Sequence, residues 1–270
     1  MADRPLAVIT GASSGIGQEF ARQLAARGHD LLLVARRRDR LQAVAAEVAA
    51  HAIQVDILVA DLASDEGRSL AAARIRDAAN FALLVNNAGF GTTGLFCEAD
   101  LAQQDEMHRL HVLTTLTLSH TALRKLNEQG RTDGPRGIIN VSSVAGFGQS
   151  PSNVSYCATK AWMTSFTEGL AIELITRGSP LRVQALCPGF TYSEFHDRMG
   201  MARDPIPKQL WLTADFVVAE SLRAFDRGKL IVVPGWRYKI IAGFIRTMPG
   251  TLMRRIASFA ARRYRKPVTK

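Results

Sequence analysis

The octapeptide TGASSGIG, Thr10 to Gly17, follows directly on the apolar run PLAVIT and leads directly into a segment of helical period. This junction constrains the fold more than any other part of the chain. A strand that ends in a glycine-rich turn and restarts as a helix leaves the first helical N–H groups unpaired, at the positive end of the helix dipole. Gly11 permits the tight turn, and Gly15 and Gly17 permit close backbone approach. With Ser13, Ser14 and Ile16 they form a cradle for an anionic group such as a pyrophosphate.

The pattern repeats along the chain. Short apolar runs (PLAVIT, DLLLVA, IQVDILVA, FALLVN, GIINVS, LRVQALC) alternate with helix-period segments at about 15–26, 39–50, 64–78, 100–127 and 155–176. Strands apolar on both faces and separated by helices predict a parallel sheet covered on both sides, an α/β doubly wound fold. A loop region over 190–212, a helix over 214–226 and a last strand in LIVVP complete a single domain over 1–234. No repeat, low-complexity stretch or linker marks a second one.

The formal net charge of +10 invites a nucleic-acid reading, but its distribution opposes that. From Arg227 to Lys270 there are twelve Lys or Arg and no Asp or Glu, and the other 226 residues carry 22 basic and 24 acidic groups. The basicity belongs to the segment 235–270. There Ile241, Ile245, Met248, Leu252, Ile256 and Phe259 recur at helical spacing among Arg254, Arg255, Arg262, Arg263, Arg265 and Lys266, with a break at Pro249-Gly250. Such a stripe suits an anionic membrane surface better than a phosphate backbone, so no nucleic-acid partner is expected. It equally suits an arm packed on the chain's own lid or on a second copy, and both readings stand at this point. PLAVIT already reads as a buried strand and no apolar run approaches the ~20 residues of a membrane span. The chain is therefore expected to be cytoplasmic or peripheral on a membrane. Cys97, Cys157 and Cys187 lack metal-ligand spacing and are expected to be reduced, buried and structural.

Where a dinucleotide fold commonly places an acid for the ribose hydroxyls of NAD, about 20 residues past the glycine turn, this chain reads VARRRDR. Arg36 and Arg37 there favour a 2′-phosphate by forked, charge-assisted contacts, and so favour NADP(H). Further on, YCATK sets Tyr156 and Lys160 four residues apart on one helical face. A phenol with a pKa near 10 needs roughly 4 kcal/mol of preference for phenolate to titrate near neutrality. One ammonium about 4 Å away supplies most of that at an effective dielectric near 20.

With these residues in view, the chain resembles the short-chain dehydrogenase/reductase family over roughly residues 5–234. The resemblance rests on TGASSGIG, Asp61-Leu62 after the third strand, NNAG at Asn86 to Gly89, Ser143 in NVSSVAG, Tyr156 with Lys160, and Cys187-Pro188-Gly189. It implies a Rossmann-type sheet and an NADP(H)-dependent carbonyl reductase, or the reverse alcohol dehydrogenase. Tyr156 would be the general acid, Ser143 would hydrogen-bond the same oxygen, and Lys160 would lower the phenol pKa and hold the nicotinamide ribose. The resemblance places Asp61 and Leu62 at the adenine, Asn87, Ala88 and Gly89 beneath the adenosine ribose, and Pro188, Gly189 and Thr191 by the carboxamide. It also implies a homodimer or homotetramer.

His111 stands where the family has an asparagine holding a water that links the lysine to solvent. An imidazole titrating near neutrality can serve such a relay; a cofactor-binding regulator without catalysis is the other reading it motivates. Phe190, Tyr192, Phe195, Met199, Met201 and Trp211 make the lid over 190–212 apolar, and Phe90, Phe96 and Phe147 are expected on the same cleft. Together they point to a hydrophobic ketone, aldehyde or alcohol as substrate.

Overall fold

The computed structural model describes residues 4–131, 133–195 and 206–264; Met199 and Met201 lie outside the described residues. Seven strands form one sheet: β1 Leu6–Thr10, β2 Asp30–Ala35, β3 Val55–Val59, β4 Phe81–Asn86, β5 Gly137–Val141, β6 Arg182–Leu186 and β7 Ile231–Val232. Their order is β3-β2-β1-β4-β5-β6-β7, and every pairing is parallel. Parallel neighbours require crossovers, and helices supply them on both faces. These are α1 Gly15–Ala26, α2 Arg38–Val48, α3 Asp65–Asp77, α4 Leu101–His108, α5 Thr114–Gln129, α6 Val154–Thr176 and α7 Ala214–Phe225.

The sheet divides the core in two. On one face Ile9, Leu31 and Leu33 pack with Phe20 and Leu24 of α1 and Val218 and Leu222 of α7. On the other, Val8, Leu32 and Leu84 pack with Ile75 of α3, Leu118 of α5 and Leu174 of α6. Strand order reverses at β1, which pairs with β2 on one side and β4 on the other. In open α/β sheets that reversal opens a crevice at the carboxyl ends of the strands, and the site lies there.

Three differences from the sequence reading matter. The helix expected over 100–127 contains a π-helical turn, Arg109–Leu113, between α4 and α5; an extra residue in one turn leaves the apolar period nearly intact. The basic segment forms two helices, α8 Trp236–Thr247 and α9 Gly250–Tyr264. Cys157 and Cys187 are buried and unpaired as expected, but Cys97 is exposed, because it sits in the loop before α4.

Candidate active site

The glycine turn sits against the end of β4. Gly11 has φ +66°, and a Cβ on it would lie 2.8 Å from both the Ala88 Cα and the Asn87 amide nitrogen. Asn87 Nδ2 donates to Thr10 O at 2.9 Å and to Gly11 O at 3.2 Å, while Thr10 Oγ1 accepts from the Asn87 and Ala88 backbone N–H groups at 2.9 and 3.0 Å. A Cβ on Gly17 would collide with the Gly11 carbonyl. The turn is therefore held open by packing that only glycine allows.

Beside it lies a cavity of about 520 Å³. Its wall includes Gly11, Ser13, Ser14, Gly15, Ile16, Asn87, Ala88, Gly89, Ser143, Tyr156, Lys160, Pro188, Gly189 and Thr191, which the sequence assigned to cofactor and chemistry. Gly17, Arg36, Arg37, Asp61, Leu62 and His111 stand outside that wall. Asp61 is exposed at the end of β3 and Leu62 is buried beneath it. Arg37 reaches the cradle indirectly, donating to the Ser13 and Ser14 hydroxyls at 3.1 and 3.2 Å and pairing with Glu194 at 3.0 Å. Arg36 pairs with Glu106 at 2.9 Å.

Strand alternation separates the two serines after β5. Ser142 Oγ turns inward to Lys160 O and to Thr164, each at 2.8 Å. Ser143 caps the short turn Val144–Phe147. Burial pushes the Tyr156 phenol up to about 12, against the opposing effect of the Ser143 hydroxyl, and pushes the Lys160 ammonium down to about 8. The Lys160 Nζ lies 5.8 Å from the Tyr156 ring centre and donates to Val141 O at 2.8 Å. Contrary to the expectation that Lys160 brings the phenol toward neutrality, burial raises the phenol while the ammonium is engaged by Val141 O. Burial costs the phenolate about 3 kcal/mol, at roughly 1.4 kcal/mol per pKa unit. A cation about 6 Å away repays a similar amount only if it faces the phenol, and the ammonium is turned toward a backbone carbonyl.

His111 is fully buried within the π turn. Thr159 Oγ1 donates to Tyr156 O at 2.9 Å, so His111 Nδ1, 2.9 Å from the same oxygen, carries the proton and donates to it. That leaves Nε2 an acceptor without a partner among the described residues, packed where a Cβ of Gly89 would come within 2.6 Å. Burial first, then the charges of Lys160 and His108, hold the imidazole well below its usual range. It is neutral at neutral pH, and the expectation of titration there is corrected.

The lid departs from the sequence reading in detail. Thr191 Oγ1 turns back to Gly189 O at 3.0 Å, whereas Ser193 lies over Gly15, 2.9 Å from where its Cβ would be. The Phe195 ring lies 5.7 Å from that of Tyr156, and Tyr192 stacks on Trp211 at 4.9 Å. Phe90 lines the cavity, but Phe96 is 58% exposed and Phe147 lies beneath the Arg246 guanidinium; neither is on the wall.

Three residues escaped the sequence reading. Tyr238 of α8 accepts from Phe190 N at 3.0 Å and donates to Leu210 O at 2.7 Å, bridging both ends of the lid. Its ring fills the space a Gly189 side chain would need. Glu194 of the lid pairs with Arg37, and Met253 of α9 joins Ile245 of α8 on the cavity wall. Only long-range packing reveals these roles.

The short chain dehydrogenase family model matches residues 5–203. The chain belongs to the short-chain dehydrogenases. It is 29% identical over 251 residues to the 3-oxoacyl-(acyl-carrier-protein) reductase FabG of Aquifex aeolicus, covering 85% of this chain and 96% of that one. A short-chain dehydrogenase from Sphingobium yanoikuyae solved in complex with NADPH is 30% identical with TM-score 0.79, covering 98% of both chains. The bulky-bulky ketone specific alcohol dehydrogenase from Comamonas testosteroni is 26% identical with TM-score 0.76, covering 100% of this chain and 98% of that one. The family is one of oxidoreductases that use a nicotinamide dinucleotide, and the glycine-walled cradle beside β1 and β4 fits that group.

Proposed function

We propose that the protein is an NADPH-dependent carbonyl reductase acting on a hydrophobic ketone or aldehyde, with the reverse alcohol oxidation open to it. The observation that carries this reading is the placing of Ser143, Tyr156 and Lys160 with the glycine cradle on one cavity walled by Phe90, Phe190, Phe195, Ile245 and Met253. A nicotinamide dinucleotide held by the glycine cradle would supply hydride to the carbonyl carbon. Tyr156, protonated at neutral pH because burial holds its pKa near 12, gives its proton to the carbonyl oxygen, which Ser143 positions. Lys160 steadies the phenolate left behind and grips the ribose. Arg37 and Arg36 hold a 2′-phosphate once released from Glu194 and Glu106. Asp61 and Leu62 border the adenine, and Asn87 to Gly89 its ribose.

The Comamonas relative's bulky ketone specificity supports the substrate class. Exposed Leu116 on α5 and Ile172 and Ile175 on α6 offer apolar surface for a homo-oligomer. The test is a screen of lipophilic ketones, aldehydes and alcohols followed by NADPH absorbance. Turnover with NADPH and a bulky ketone, lost in Tyr156→Phe, supports the reading. NADPH binding without turnover on any carbonyl would favour a cofactor-binding regulator instead.

A further inference from the structure

The two helices that wall the cavity have a second, outward face. On α8, Tyr238 and Ala242 are buried against the body and Ile245 reaches the cavity, while Trp236, Ile240 and Phe244, four residues apart in turn, are 62%, 62% and 64% exposed. Leu252 and Phe259 of α9 continue as exposed apolar residues. Isolated exposed apolar side chains are unremarkable, but a row along one helix continued on the next is a patch that water does not favour. The same helices expose Arg237, Lys239, Arg246, Arg254 and Arg255. Lys239 pairs with Glu220 at 3.7 Å and Arg246 with Glu168 at 3.8 Å, and Arg237 stacks on Trp236 at 4.7 Å. No acid lies between Arg227 and Lys270.

We infer that α8 and α9 dock the protein on an anionic lipid surface, with Trp236, Ile240 and Phe244 entering the headgroup boundary and the arginines meeting the charged headgroups. An apolar row with cations around it and no acid on its own helices has the chemistry of an interfacial helix; Glu220 and Glu168 of neighbouring helices offset only Lys239 and Arg246. A second copy docking through the same face would oppose two sets of cations. Nucleic acid would engage the cations and leave the aromatic row in water. Because Ile245 and Met253 project from these helices into the cavity, docking sets the site against the phase in which a lipophilic carbonyl compound dissolves.

The test is co-sedimentation of the full chain with phosphatidylcholine vesicles with and without phosphatidylglycerol. It is repeated with the triple variant Trp236→Glu, Ile240→Glu, Phe244→Glu and with the double variant Arg254→Ala, Arg255→Ala. The expected result is at least about tenfold stronger binding to the anionic vesicles, weakened in the double variant and lost in the triple, both variants keeping wild-type NADPH binding in solution. Equal binding or none to both vesicle types overturns the inference. So does light scattering showing that the triple variant only splits an oligomer, or retention on duplex DNA that the triple variant leaves unchanged. None of these readouts needs turnover, so failure here leaves the proposed carbonyl reduction standing, and failure of that reaction leaves the docking result intact.

Discussion

Glu194 of the lid holds the Arg37 guanidinium at 3.0 Å, on the same nitrogen that donates to Ser13 and Ser14 of the glycine turn. If Arg37 holds a 2′-phosphate as proposed, that phosphate would compete with this carboxylate for one cation. Glu194→Gln is therefore expected to tighten NADPH by about two- to fivefold, the scale of a partly exposed ion pair, with little effect on NADH. Joint Arg36→Ala and Arg37→Ala substitution has the opposite effect, weakening NADPH far more than NADH. Fluorescence titration reads both, and equal weakening of the two cofactors would remove the phosphate role.

Tyr156→Phe keeps the ring that packs against Phe195 and removes only the hydroxyl. The reduction kcat should fall about 10²–10⁴-fold, the usual contribution of a positioned acid, while NADPH binding stays unchanged. Retained turnover would show that another group supplies the proton.

Lys160 carries its charge below about pH 8 in the folded chain. Its attraction for an anionic cofactor and for the phenolate is present below that pH and is lost above it. The kcat/KM of reduction should thus decline as pH rises through about 8, and Lys160→Met should lower the plateau and abolish the decline. Unfolded, the lysine returns to 10.5. Between about 8 and 10.5 the unfolded chain binds the extra proton, so this group makes folding more favourable with rising pH in that window.

His111 is held neutral through the range where an exposed histidine titrates. The pH profile of the wild type should show no limb near 6.5 that His111→Asn removes. Such a limb, present in one and absent in the other, would restore a titrating relay.

Tyr238→Phe removes the hydroxyl that accepts from Phe190 N–H and donates to Leu210 C=O, two part-buried hydrogen bonds. Each is worth about 0.5–1.5 kcal/mol, and about 2–4 °C of Tm accompanies each kcal/mol in a chain near this size. Calorimetry should show a Tm several degrees lower; an unchanged Tm would mean that the lid is not latched through Tyr238.

The sheet was legible because each strand is apolar on both faces and each turn carries its own signal, as TGASSGIG and Asp61-Leu62 do. Strand alternation sets Ser142 and Ser143 on opposite faces but does not choose between them; the resemblance to the family's spacing picks Ser143. What stayed hidden depends on packing between distant segments. The π turn around His111 adds one residue without disturbing the apolar period. Thr191 and Ser193 share one face of an extended loop, so spacing cannot say which lies over Gly15. Ile245 was read as part of one stripe with Ile241, Leu252 and Phe259, yet it points into the cavity while those three are exposed. Which side of a cationic amphipathic helix meets the body is settled by Tyr238 and Gly189, 49 residues apart in the chain.

Ile245 and Met253 belong to helices that contribute no strand to the sheet and no residue to the glycine turn. Part of the cavity's apolar wall therefore resides on a stretch of polypeptide separable from the one that carries Ser143, Tyr156 and Lys160, while Phe90, Phe190 and Phe195 stay with the body. A chimera that keeps this chain as far as Gly235 and borrows the following helices from another member of the family should shift its preference among ketones only part of the way toward the donor's, with its hydride and proton steps as they were.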